Sequence, residues 1–407
     1  MVPELPHIVV ASHAWYGDTT GGSFRLASEF AEYLANSGNK VSFVCCAKSI
    51  DQQFPDCESV RGVQVCRYRP SHRALSGLGR LRFHISQSRQ LVKRLADQNP
   101  VAALSGHSPL QALGAATALR GSEAFVNYTV HSPFDDELLS NIDSRARFRM
   151  MPRLAAVAAR WVDRRNCVFA DRVQTDSHYT LKSMVQKHGN LVSRKGVVAP
   201  GWVDVDRFRP AMNRLSHRES LGSKWQTNDP ILFTLRRLEN RMGLDTLINA
   251  CELVAKQGLR FRMLIGGGGT LQGQLQQMID AAGLQEQVFL LGRVPEEQIA
   301  DCYAAADCFV LPTRALECFG LIVLEAFACN TPVIASSVAA IPELAERQNA
   351  DWMFEPGNTM QLATRICDFV GNRLRPTADL RSIALEFDKM KVLPIWKSLL
   401  SGVPVSA

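Results

Sequence analysis

Apolar residues follow two rhythms along this chain. Short runs at 7–13, 41–46, 102–105, 124–130 and 167–175 have the length and side-chain types of buried strands. Between them the spacing is helical. Phe24, Ala27, Ala31 and Leu34 recur every three or four residues over 24–37, and Gly38 is placed to end that helix. The same grammar restarts in the second half. It predicts strands at Ile231–Leu235, 261–265, 288–290, Cys308–Leu311 and 333–335, with helices at Leu244–Lys256 and 271–282, the latter stopped by Gly283. Strands that alternate with helices and are apolar throughout belong to parallel sheets covered on both faces. The turn-rich stretch 200–210 and the polar, weakly periodic 213–230 place a domain boundary near residue 210. The expected architecture is α/β, with two doubly wound domains, 1–210 and 211–386, followed by a C-terminal segment 387–407 whose residues 387–400 form a helix. Ligands on such sheets bind beyond the carboxyl ends of the strands, and a cleft between two facing domains is the default site.

Composition changes this picture in three ways. A length of 407 residues with 46% hydrophobic and 21% charged residues suits two globular domains and excludes wholesale disorder. The net charge of +7 is unevenly held: residues 1–200 carry +9 and residues 201–407 carry −2, so the first half is expected to meet an anionic partner. The eleven cysteines are odd in number, lie mostly in apolar stretches and include no C-x-x-C pair, which predicts free buried thiols in a reducing cytosol, no disulfide framework and no zinc site. No basic segment precedes the apolar 8–11, so a signal peptide is not expected, and no run reaches the length needed to cross a bilayer. Residues 59–96 hold nine Lys or Arg and no acid. Within 77–95, Leu78, Leu81, Ile85, Val92 and Leu95 keep a near-helical period among Arg80, Arg82, Arg89 and Arg94. That pattern describes either a basic amphipathic helix for an anionic membrane or a solvated helix face. A second basic run covers 145–172. Few aromatics interleave with these bases, which disfavours nucleic acid as the partner.

Four motifs carry chemistry. Glu317 and Glu325 bracket E-C-F-G-L-I-V-L-E, which leaves the strand Cys308–Leu311 and enters a helix near Gly320. Carboxylates accept well from paired sugar hydroxyls, and a helix start suits a phosphate; two surface acids beside an amphipathic helix is the plainer reading. Arg236-Arg237-Leu238-Glu239-Asn240-Arg241-Met242-Gly243 leaves the strand Ile231–Leu235, and guanidinium groups bind diphosphates by paired hydrogen bonds. Gly21-Gly22-Ser23 opens a helix after the first strand, which is either an anion loop or a turn. His131 follows the strand at 124–130, where an imidazole can hydrogen-bond a sugar or play a structural part. The run Gly266–Gly269 lacks G-x-G-x-x-G spacing, so the dinucleotide fingerprint fails. Asp204-Val-Asp206 spells D-x-D but stands in the linker pattern with no ligand cluster, so no metal site is expected.

These motifs resemble the signature of the retaining, nucleotide-sugar-dependent glycosyltransferases of family 4, which have the GT-B fold. The resemblance covers nearly the whole chain and is most specific over 196–360, including 199–210, Leu235-Arg-Arg-Leu, 243–248, 265–270 and 291–295. It implies two Rossmann-like domains facing across a cleft, with the C-terminal helix packed back on the first. It implies that Glu325 binds the donor ribose, that Glu317 binds the donor sugar, and that the backbone of Phe319, Gly320 and Leu321 contacts sugar and diphosphate. Arg237 would hold the diphosphate. The family usually has Lys where this chain has Met242, and Arg241 is expected to supply that charge. Gly21 and Gly22 would lie near the diphosphate and acceptor, Gly266 and Gly268 would line the nucleotide pocket, and the loop with Arg293 and Val294 would face the base. His131 would contact the transferred sugar. Glu317, Arg237 and His131 are the expected catalytic set, working without a metal or other cofactor, with Arg237 and helix N-termini stabilising the departing diphosphate.

The function these readings imply is transfer of a hexose from a UDP- or GDP-linked donor to a saccharide or anionic lipid-linked acceptor, with retention. The expected setting is bacterial polysaccharide or envelope glycan synthesis. The expected location is the cytoplasm, peripheral at the inner face of the membrane through Arg80, Arg82, Arg89 and Arg94. Two rivals share the scaffold: a sugar-nucleotide epimerase that needs no acceptor, and a non-catalytic partner of a polysaccharide assembly complex.

Overall fold

The strand β1 (His7–Ala11) is buried at all five positions, as expected of a central parallel strand. In the computed structural model, which describes residues 6–19, 21–49, 57–71, 77–140 and 150–401, it lies in the first of two units. That unit comprises Met1–Gly201 with Met390–Ala407, and the second comprises Trp202–Lys389.

The first unit adds β2 (Lys40–Cys46), β3 (Cys57–Val60), β4 (Val63–Tyr68), β5 (Val101–Gly106), β6 (Phe125–Val130), β7 (Arg172–Thr175) and β8 (Gly196–Val198). Their order is β3-β4-β2-β1-β5-β6-β7-β8, parallel throughout except for the antiparallel β3–β4 pair. Only 172–175 of the apolar run 167–175 is strand. Cys167, Val168 and Phe169 instead end the helix Met150–Phe169, an ambiguity that short apolar runs cannot resolve by themselves.

The hairpin β3–β4 turns on Arg61 and Gly62, both at positive φ, as a two-residue turn of this hand requires. Its register sets Cys57 opposite Cys66, and the two are joined in a disulfide. This corrects the expectation of no disulfide: pairing across a hairpin depends on register, which cysteine spacing does not show. The other nine cysteines of the described residues are free and buried. Burial pushes the Cys302 thiol up to about 12, consistent with an inert small hydrophobe.

The second unit contains β9 (Ile231–Leu235), β10 (Arg262–Gly266), β11 (Val288–Gly292), β12 (Cys308–Leu311), β13 (Val333–Ser336) and β14 (Met353–Phe354), ordered β11-β10-β9-β12-β13-β14 and all parallel. The boundary falls after Gly201 rather than near 210. The reason is packing: Val203, Val205 and Phe208 join the buried cluster of Phe233, Tyr303 and Phe309, and Arg381 donates to the carbonyls of Val205 and Phe208.

At the other end Phe387 stays with the second unit, its carbonyl accepting from Val203 N–H. Residues from Met390 onward belong to the first unit. There the helix Lys389–Ser398 buries Trp396, whose ring meets Phe30, His107 and His131 and whose Nε1–H donates to the Pro200 carbonyl at 2.8 Å. Trp396→Ala is therefore expected to cost about 3–5 kcal/mol of stability, measured by denaturant unfolding of the whole chain. No helix of the described residues is long and apolar enough to cross a membrane.

Candidate functional site

Strand order reverses between β9 and β12 in the second unit and between β1 and β5 in the first. Loops that leave a parallel sheet on either side of such a reversal diverge and open a crevice for ligands. Arg236, Arg237 and Arg241 follow β9, Glu317 follows β12, and Gly21 and Gly22 follow β1.

In the second unit, β9 runs into Arg236 and Arg237, and β12 into the loop that carries Glu317. Successive residues leaving a strand point to opposite sides, so the two arginines part. Arg236 turns inward: its Nη2 donates to Glu317 Oε2 at 2.8 Å and to Thr313 Oγ1 at 2.9 Å, and it reaches Met242 Sδ at 3.0 Å. Arg237 is exposed and has no ion-pair partner among the described residues. Arg293, which follows β11, is likewise exposed and unpaired, whereas Val294 packs against Gly266. Two free guanidinium groups therefore stand at strand exits of this sheet.

Met242 stands where the resemblance implies a lysine, and two arginines lie near it. Arg241 is half-buried and its Nη1 donates to the Leu316 carbonyl at 2.9 Å, bracing a residue held at φ 56 just before Glu317. Arg241 thus supports the loop instead of standing free as a second cation. Arg236, with a guanidinium nitrogen against the Met242 thioether, brings positive charge to the position-242 side chain. Nothing in the sequence distinguishes Arg236 from the adjacent Arg237.

The run Gly266–Gly269 passes beside this arginine turn. Arg236 N–H donates to the Gly266 carbonyl and Leu238 N–H to the Gly268 carbonyl. Gly267 sits at φ 128, and a Cβ there would lie 1.8 Å from the Arg236 carbonyl oxygen, so only glycine fits. Gly268 alone of the four faces open space.

Phe319 is buried in the core, leaving only its backbone to a ligand. Gly320, at φ 92, starts the helix Leu321–Ala328, which no side chain caps, so the helix start can receive an anion. Glu325 lies inside that helix and is only 4% exposed. Burial, and then the adjacent Glu325 carboxylate, push the Tyr303 hydroxyl well above its ordinary range. Tyr303 was not legible as a site residue, because nothing near it in sequence carries chemistry.

In the first unit, Gly21 precedes the helix Gly22–Asn36, again without a side-chain cap. The loop between β1 and that helix is anchored through Asp18, which accepts from Arg67, and Arg67 also pairs with Glu58 of β3. After β5 and β6 come His107 and His131. The Nδ1 of His131 contacts Asp176 Oδ2 at 2.7 Å, its Nε2 meets His107 Nδ1 at 3.0 Å, and His107 Nε2 meets Ser105 Oγ at 3.0 Å. One proton arrangement satisfies all three contacts with neutral rings: Ser105 O–H donates to His107, His107 Nδ1–H to His131, and His131 Nδ1–H to Asp176. Burial, and next the neighbouring His131, hold His107 well below its ordinary pKa.

This corrects the expectation of an exposed His131 ready for a sugar hydroxyl. Its side chain is 11% exposed and both ring nitrogens are engaged. Sequence offered no signal for His107 or Asp176, since their place follows from strand adjacency.

The loop after β6 is fixed by Asp163, which is fully buried. Its Oδ1 accepts from Tyr128 O–H at 2.7 Å and its Oδ2 from Phe134 N–H at 2.8 Å. Burial, against these hydrogen bonds, raises the Asp163 carboxyl to about 7. The folded state then binds the proton more tightly than the unfolded chain. The stability this contributes is complete below about pH 4 and is lost as pH rises through about 7. Asp163→Asn should flatten the fall of unfolding free energy between about pH 4 and 7, measured by denaturant titration at each pH.

The basic stretch 59–96 is less uniform than its sequence. Arg61 pairs with Glu32, and Arg67 is buried between Asp18 and Glu58. Arg73 and His72 lie outside the described residues, as does the part of the second basic run before 150. Arg80, Arg82, Arg89 and Arg94 are exposed on the helix Gly77–Gln98 with no acidic partner among the described residues. Asp204 of the D-x-D triplet accepts from the backbone N–H of Asp206 and Arg207 and pairs with Lys389, which accounts for it as a turn residue. Among the described residues no group of three His, Cys, Asp or Glu is placed to hold a metal ion.

Two doubly wound parallel-sheet units of this kind define the GT-B scaffold of glycosyltransferases. The model described as Glycosyltransferase Family 4 matches residues 20–207, and that described as Glycosyl transferases group 1 matches 217–383. The chain belongs to glycosyltransferase family 4.

Among similar proteins is a GDP-mannose-dependent alpha-(1-6)-phosphatidylinositol monomannoside mannosyltransferase of Mycolicibacterium smegmatis. It is 29% identical over 218 residues, covering 51% of this chain and 55% of that protein. The chain thus spans about half the length of such relatives. A sucrose-phosphate synthase from Thermosynechococcus elongatus has the same fold, with a TM-score of 0.81 at 18% identity over 97% of this chain and 98% of that one. So does HepE of Anabaena, solved with UDP, at a TM-score of 0.71, 18% identity and coverage of 98% and 100%.

Proposed function

We propose that this protein is a retaining glycosyltransferase that moves a hexose from a UDP- or GDP-linked donor to a saccharide or lipid-linked acceptor in bacterial polysaccharide or envelope glycan synthesis. The observation that carries the reading is the β9/β12 crevice. There the partly buried Arg236–Glu317 pair, an Arg237 with no ion-pair partner among the described residues and an uncapped helix start at Gly320 lie on loops flanking one strand-order reversal.

In this reading Glu325 accepts from the donor ribose hydroxyls, and the oxygen of Glu317 not engaged by Arg236 accepts from the sugar. Arg236, Arg237 and the Gly320 helix start stabilise the negative charge that grows on the diphosphate as the sugar C–O bond breaks. The acceptor oxygen forms the new bond on the same face, and its proton passes to the departing phosphate oxygen. His107 and Asp176 engage both ring nitrogens of His131 and fix the orientation of its ring. No divalent metal takes part.

The mannosyltransferase relative, named for a phosphatidylinositol-based acceptor, supports an anionic lipid acceptor here. Arg80, Arg82, Arg89 and Arg94, which have no acidic partner among the described residues, support peripheral contact with the inner face of the cell membrane.

The test is to incubate the chain with UDP-, GDP- and ADP-sugars, with and without envelope lipid extract. The expected result is nucleotide release that requires extract, a product of retained anomeric configuration by NMR, and full activity in EDTA. Conversion of the donor alone to an epimer would favour the isomerase reading. Lack of nucleotide binding would favour a non-catalytic partner.

A further inference from the structure

Two helices of the first unit carry more apolar surface than the core uses. The helix Gly77–Gln98 buries Ser88, Leu91, Val92 and Leu95. It sits so close to the helix Pro109–Ala118 that a Cβ on Gly114 would fall 2.4 Å from the Ile85 carbonyl, and Ser88 Oγ donates to the Gln111 carbonyl. Phe83 and Ala96 pack against the same core, whereas Leu78, Leu81 and Ile85 line an outer groove. The helix Met150–Phe169 is anchored from within by Asp163 and by Asn166, whose Nδ2 donates to the Pro109 carbonyl. On its outer side Leu154, Val157 and Trp161 recur at helical spacing and are 67%, 67% and 55% exposed.

The two outward stripes face each other across a groove of about 860 Å³. Arg82, Arg89 and Lys93 line it as well, and none has an acidic partner among the described residues. Apolar side chains gathered in one groove and rimmed by unneutralised bases are the arrangement in which an amphiphilic ligand can be held.

We propose that this groove receives the acyl chain of an anionic phospholipid, so that the first unit docks on a membrane with Trp161 inserted at the headgroup level. This rests on the membrane contact proposed above and assigns its seat. The charge pattern selects the occupant. Apolar floor with basic rim matches a lipid whose tail is apolar and whose head is negative, and Lys or Arg stems can cover the apolar wall while their charges meet phosphate. A twofold pairing of two copies through the same patch would oppose Arg82, Arg89 and Lys93 to themselves, so self-association is disfavoured. The indole suits the interface, with one apolar edge and one polar N–H.

Trp161 also supplies the test, because the other five of the six tryptophans are buried. The full chain is titrated with vesicles of phosphatidylcholine alone and of phosphatidylcholine with phosphatidylglycerol, the latter also with brominated acyl chains. The expected result is binding to the anionic vesicles that weakens with salt, and quenching by brominated chains that is lost in Trp161→Phe. Binding should fall about a hundredfold in Arg82→Gln/Arg89→Gln/Lys93→Gln.

Equal binding to neutral vesicles, no binding to anionic ones, or binding without quenching of Trp161 would each overturn the proposal. So would a concentration-dependent dimer that the triple variant dissociates. Circular dichroism melts confirm that these surface variants fold. Nucleotide binding by the wild-type chain, measured in the same samples, separates the two readings. Its absence would sink the donor assignment and leave this one standing.

Discussion

Arg237→Ala is expected to lower kcat/KM for sugar transfer by about a hundred- to a thousandfold, equivalent to a loss of about 3–4 kcal/mol of transition-state stabilisation. The guanidinium is exposed and unpaired at the exit of β9, so its removal leaves no buried charge behind and the fold should be unaffected. The loss should fall mainly on kcat, since the diphosphate gains charge only as the sugar departs. Arg236→Ala is expected to cost at least as much, because it also releases Glu317 and Thr313. Arg241→Ala should behave differently. It removes the brace on the Leu316 carbonyl, which is worth about 1–2 kcal/mol of stability, and should change turnover less. Steady-state kinetics of the three variants decide the matter. A larger kinetic loss at Arg241 than at Arg236 would mean that Arg241 supplies the second charge after all.

Glu325→Gln is expected to weaken nucleotide binding by about a hundredfold. Two charge-assisted hydrogen bonds to a ribose diol are each worth about 1.5–3 kcal/mol, and an amide keeps only part of that. Glu325 is also the neighbour of the buried Tyr303 hydroxyl, so a purely structural role has to be separated from a binding one. Tyr303→Phe does this by calorimetry. If Glu325 serves only Tyr303, both variants lose stability alike and nucleotide affinity is untouched in each. If it holds the ribose, affinity collapses in Glu325→Gln alone.

Much of the second unit was legible because its signals are local. The strand Cys308–Leu311 and the helix Leu244–Lys256 lie where apolar periodicity put them, and the E-x7-E block spans a strand exit and a helix start. What stayed hidden depends on tertiary neighbours. Arg236 and Arg237 are adjacent in sequence, and only the β12 loop reveals which of them meets Glu317. His131 looked like a free imidazole until β5 and β7 set His107 and Asp176 on either side of it. The Cys57–Cys66 disulfide required a hairpin register.

The amphipathic pattern over 77–95 did predict a helix, but it merged two faces. Val92 and Leu95 point into the core, whereas Leu78, Leu81 and Ile85 line the outer groove. The charge asymmetry of +9 against −2 was visible at once. Which of those charges are already neutralised, as Arg61 and Arg67 are, was not.

The central claim is that the β9/β12 crevice of the second unit binds a nucleoside diphosphate sugar, and thermal unfolding tests it most directly. The wild-type chain is melted with UDP, GDP and ADP and their sugars, beside the double variant Arg237→Ala/Glu325→Gln. One nucleotide series should raise the wild-type melting temperature, as about 2.7 kcal/mol of stabilisation at a hundred times Kd requires, and should leave the double variant unmoved. No shift with any nucleotide, or an equal shift in the double variant, would contradict the account.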